Sequence, residues 1–193
     1  MRFTRSTWLV QINHGSIEPR FPKKSKTGAT LPIFSLLGSL AWYSCSWGNK
    51  HGRAMQLKYA DELGRYENCP PANVSPRSGE AFRFVHADAA DTRNFMVVSR
   101  LNPARLPHLP DAVCCSSFAL SLFSKKEKAI EFFGKLKNKN RNIHKSLGTH
   151  LATVTIDEND GHATADSVEG HFSLYESHSA DLSKKCRNRE VLP

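Results

Sequence analysis

The stretch KKEKAIEFFGKLKNK, residues 125–139, constrains the fold more than any other part of the chain. At about 100° per residue, Ala129, Ile130, Phe132, Phe133 and Leu136 fall on one apolar arc. Lys128, Glu131, Lys135 and Asn138 lie opposite. Ser124 stands three residues before Glu127, the pattern of a capping box at a helix start. Gly134 costs about 1 kcal/mol of helix propensity, but it falls on the polar side. An amphipathic helix of this length needs an apolar surface to cover, and the flanking segments read as strands.

AFRFVH (81–86) alternates, with Phe82, Phe84 and His86 on one face and Arg83 and Val85 on the other. NFMVVSRL (94–101) is an expected strand, with a short helix as the alternative, and VCCSSFALSLF (113–123) is the most strand-like run. In the second, Cys114, Phe118, Leu120 and Leu122 share one parity. THLATVTI (149–156) puts His150, Ala152, Val154 and Ile156 on the core side, with Leu151 the apolar exception opposite. GHFSLYE (170–176) is a further strand and NREVL (188–192) an edge strand. A short helix is expected over 56–66 and a helical turn over 179–185. Asp88 and Asp91 are candidate caps, and Gly161 is expected at positive φ in the turn DENDG. Residues 102–111 carry three prolines and read as irregular, and 138–148 as a basic loop. Helices and strands do not alternate along the chain. The expected class is therefore α+β, a mostly antiparallel sheet packed against one main amphipathic helix.

The charge is unevenly placed. Residues 1–54 hold eight Lys/Arg and one acid, +7 of the chain's +9, which leaves +2 for residues 55–193. This predicts two parts: a poorly structured basic leader over 1–54, readable as an extension upstream of Met55, and a single α+β domain over 55–193. The apolar run 31–47 suits membrane contact by its charge flank, but Pro32, Gly38 and its serines count against a spanning helix. The five cysteines are odd in number and form no C-x-x-C pair, which favours free thiols and a cytoplasmic, soluble protein.

The residue types exclude some chemistries. His144 and His150 have H-x5-H spacing but lack an accompanying cysteine pair, so no metal site is expected. Cys114 lies on the apolar parity of its strand, which leaves Cys115 as the more exposed thiol. Residues 125–145 carry eight bases against two acids. Most read as a solvated helix face, but Lys139, Arg141 and Lys145 sit in a donor-rich turn with Asn138, Asn140 and Asn142. That turn is a candidate polyanion site. The expected activity is that of a small binding domain for a polyanion or a protein partner.

A second set of residues points to catalysis. Arg83 and His86 lie on an early strand, Ser117 on a serine-bearing strand, and His171, Tyr175 and Glu176 on a late one. This order resembles the mono-ADP-ribosyltransferase layout over about 82–176. The resemblance implies a nicotinamide dinucleotide held by the early basic residue and the serine, with the late Glu stabilising the ribosyl cation. The family's Glu-x-Glu is absent, because position 174 is Leu174, and so is its Ser-Thr-Ser. Strand alternation puts His171 and Tyr175 on one side and Glu176 on the other, so a shared site requires the strand to end or twist at Tyr175.

Overall fold

The computed structural model describes residues 55–193. The expectations for 1–54, including the apolar run 31–47, lie outside the described residues. Seven strands form one sheet: β1 (Ser75–Pro76), β2 (Gly79–Val85), β3 (Leu120–Phe123), β4 (His150–Ile156), β5 (Gly161–Ala163), β6 (His171–Glu176) and β7 (Cys186–Val191). Their spatial order is β1-β5-β6-β3-β2-β4-β7, and every neighbouring pair is antiparallel. Several helices accompany the sheet: α1 (Ala60–Leu63), α2 (Val98–Leu101), α3 (Asp111–Ser117), α4 (Lys126–Lys139) and α5 (His144–Leu147). Two 3-10 turns, Thr92–Phe95 and Pro103–His108, flank α2. Among the described residues no helix is long and apolar enough to cross a membrane.

Both faces of the sheet are covered. On one, Ala129 and Phe133 of α4 are buried over Phe82, Phe84, Phe123 and Leu151. The Phe84 ring stands 5.4 Å from Phe133 and 5.3 Å from Phe123, in the tilted arrangement that aromatic pairs favour. Leu151 is therefore buried under α4 and is no outward exception. On the opposite face, Ala81, Val85, Val154, Ile156, Phe172 and Leu174 pack beneath Val97 and Leu182, which come from irregular segments. Gly161 has φ 150°, and a Cβ there would stand 2.1 Å from the Tyr175 carbonyl oxygen, so only glycine fits.

The sequence reading needs correction in further places, among them 138–148, which holds the end of α4 and the helix α5 rather than a loop alone. Residues 113–117 belong to α3, and only Leu120–Phe123 is strand. Pro110 precedes the helix, and Ser116 Oγ and Ser117 Oγ donate to the carbonyls three residues back, at 3.0 and 2.6 Å. Residues 94–101 hold the end of a 3-10 turn and the short helix α2, the alternative to a strand. The first helix shrinks to Ala60–Leu63. Ser124 forms no capping box, because its Oγ donates to the Gly170 carbonyl at 3.2 Å and Lys125 occupies the N-cap position. Cys115 is no free thiol, since it is joined to Cys69 in a disulfide spanning 46 residues. Cys114 and Cys186 stay reduced, but the thiol argument for a reducing compartment loses its ground.

Candidate functional site

Arg83 leaves β2 on the face opposite α4. Its guanidinium donates from Nε to the Asn94 carbonyl (2.6 Å), from Nη1 to that of Ser121 (2.8 Å) and from Nη2 to that of Met96 (3.2 Å). Burial pulls it down to about 10, opposed by the Glu176 charge, so it remains a cation at neutral pH. Arg83 thus fastens the 92–96 turn and β3 to the sheet. Asn94, which sequence reasoning missed, completes this clamp. It is 2% exposed, accepts from the His86 N–H at 2.7 Å and donates to the Asp88 carbonyl at 2.8 Å. A single asparagine after a turn carries no sequence signal for such a role. Burial lowers the His86 imidazole, helped by the charge of Arg93.

Glu176 ends β6 on the Arg83 face and is 3% exposed. Its Oε1 lies 3.5 Å from Lys58 Nζ, and its buried Oε2 has no hydrogen-bond partner. Burial raises this carboxyl, while the charges of Lys58 and Arg83 act against the rise.

The other three candidates lie elsewhere. Cross-strand pairing aligns Phe82 with Phe123 and Phe123 with His171. His171 and Tyr175 therefore project on the α4 side, away from Arg83 and Glu176. His171 Nε2 meets Ser121 Oγ at 2.6 Å, and its ring stands edge-on to Phe123. Tyr175 is buried, with its hydroxyl 3.3 Å from Cys115 Sγ, and burial pushes it up to about 12. Ser117 is on α3, its hydroxyl turned back into its own helix. The sheet brings Arg83 and Glu176 to one face and separates them from His171 and Tyr175.

The basic turn is built differently. Lys139 closes α4, and Arg141 and Lys145 follow in the turn and in α5; all three are exposed. The Asn140 N–H continues the helix to the Leu136 carbonyl at 2.8 Å, and the Asn142 N–H donates to Asn140 Oδ1 at 2.9 Å. Ile143 is buried and pins the turn to the α4 core. Gly148 then returns the chain to β4 with φ 89°, where a Cβ would stand 2.0 Å from the Val85 carbonyl oxygen. Three lysines on the body of α4 are matched to acids, Lys126 to Glu190, Lys128 to Glu131 and Lys135 to Glu131 and Glu169. Lys139, Arg141 and Lys145 have no ion-pair partner among the described residues.

A cavity of about 340 Å³ is at the edge of the sheet between β4 and β7 and is lined by Thr155, Asp157, Lys184, Lys185 and Arg187. Among the described residues no group of three or more His, Cys, Asp or Glu side chains is placed to hold a metal ion. No protein-family model, no curated protein and no solved structure matches the chain.

Proposed function

We propose that this chain is a small binding domain whose partner is a polyanion, held at Lys139, Arg141 and Lys145. The observation that carries this reading is that these three cations are exposed and unpaired among the described residues, on a turn fixed by Ile143 and Gly148. Phe132 and Phe133 pack towards the sheet, so they offer no base-stacking platform. Contact is then made with backbone phosphates, independent of sequence and sensitive to salt. Fluorescence anisotropy of a short single-stranded RNA titrated with the full chain tests this. The expected result is at least a tenfold loss of affinity in the triple variant K139A/R141A/K145A, and an unchanged affinity overturns the reading.

A transferase acting on a nicotinamide dinucleotide is the second reading. One observation favours it: the buried Glu176 carboxylate has an unpartnered oxygen, and its charge and that of Arg83 act on each other. Against it, Arg83 already donates to three carbonyls. Nicotinamide release from NAD by the full chain, lost in Glu176→Gln, would support it, and no release from the wild type sinks it.

A further inference from the structure

We propose that the cavity at the β4–β7 edge is a binding site for the phosphate group of a small phosphate monoester. It is separate from the basic turn, which lies towards the other end of the same strand pair. Three features carry the assignment.

The first is a β-bulge. Thr153 pairs with Asn188 and Val154 with Cys186, so Arg187 is the extra residue on β7. A bulge interrupts the alternation of an edge strand and re-aims a side chain. Here the residue it inserts is an arginine that lines the cavity. Arg187 is exposed, and no hydrogen bond or ion pair holds its guanidinium among the described residues. A guanidinium in that state can meet two phosphate oxygens with a pair of parallel N–H donors.

The second is Thr155. Its Oγ1 is buried without a hydrogen-bond partner, a state that native interiors avoid. The residue lines the same cavity, and a rotation of its side chain would let the hydroxyl donate a hydrogen bond to a phosphate oxygen there.

The third is the charge of the wall. Lys184, Lys185 and Arg187 face one acid, Asp157. Lys185 Nζ holds Asp157 at 2.5 Å and, behind it, the buried Asp160 at 2.6 Å, so it is fixed in place and shields the one acid on the wall. Lys184 pairs with Asp181 at 3.0 Å, but its side chain is 82% exposed. Such a surface pair is weak and readily exchanged for a better anion. Arg187 and Lys184 are therefore the cations available to a ligand. The volume exceeds that of a phosphate alone and leaves room for a small substituent.

Isothermal titration of the full chain with inorganic phosphate, and then with ribose 5-phosphate, at constant ionic strength tests the site. Saturable one-to-one binding of both is expected, tighter for the ester. Affinity should fall about tenfold in Arg187→Gln and at least threefold in Thr155→Val, a change that keeps the shape of the side chain. It should be unaltered in K139A/R141A/K145A. No binding beyond a chloride control, or wild-type affinity in both cavity variants, overturns the proposal. Loss in the triple variant instead would assign the phosphate to the basic turn and overturn it equally, without touching the polyanion reading.

Discussion

Arg83 and the trio Lys139, Arg141 and Lys145 are all cations on the framework of one sheet, yet they are in opposite states. Arg83 is half-buried, and each of its guanidinium nitrogens donates to a main-chain carbonyl. The trio is exposed and has no ion-pair partner among the described residues. A cation already bonded to carbonyls holds the fold, because removing it leaves those acceptors without a charged donor. A cation left in water on a rigid turn adds little to stability and keeps its charge for a partner. Arg83 is engaged by the fold and the trio is left open to solvent, although in sequence the catalytic-looking set is the more suggestive.

The largest effect should come from the support beneath the turn. Phe133→Ala removes a ring buried between α4 and Phe84 and is expected to cost about 3–5 kcal/mol in urea unfolding. Polyanion affinity should fall with the folded fraction. A cost below about 1 kcal/mol would mean that α4 does not anchor the turn.

Arg83→Met follows. It strips three carbonyls of a charged donor and is expected to cost about 2–4 kcal/mol, with hydrogen-exchange protection lost first at Asn94 to Arg100. RNA affinity of the folded variant should be unchanged. A stable Arg83→Met protein would erase the distinction between the two sets of cations.

Glu176 gives a smaller effect that depends on pH. Burial raises its carboxyl above the ordinary 4.5, so the folded chain holds that proton more firmly than the unfolded one. Its contribution to stability is therefore greatest below about pH 4.5 and declines as pH rises through the folded value. Asp91, Asp157 and Asp181 are shifted down by hydrogen bonds, chiefly to Arg93, Lys185 and Ser183 respectively, and act with the opposite sign, losing stability as pH falls below 3.8. The melting temperature of Glu176→Gln relative to wild type should rise between about pH 4.5 and 7, and a constant difference would show that Glu176 does not titrate as described.

What was legible in the sequence follows from the same physics. α4, β2, β4 and β6 announce themselves because each repeats a period long enough to show against noise. Asp91 is a cap as expected, accepting from the Arg93 N–H at 3.0 Å. Residues 113–117 read as strand because a seven-residue helix makes only two turns and runs directly into the alternating segment that carries β3. β1 and β5, at two and three residues, are too short for any period. The clamp of Arg83 reaches partners 11, 13 and 38 residues away, and the Cys69–Cys115 disulfide spans 46. Such pairings are set by the folded sheet, and no local pattern encodes them. The same holds for Arg187, whose bulge appears only when β7 is laid against β4.

The smallest effect on stability should come from K139A/R141A/K145A. The three side chains are exposed, so their removal should change unfolding free energy by no more than about 0.5 kcal/mol each.

The salt dependence of RNA binding tests the central claim most directly. Three phosphate contacts on a single strand predict that log affinity falls against log salt with a slope of about −2. The triple variant, folded and equally stable, should bring that slope close to zero. A wild-type chain that binds tightly with a slope shallower than about −0.5, or a triple variant with the wild-type slope, would contradict the account.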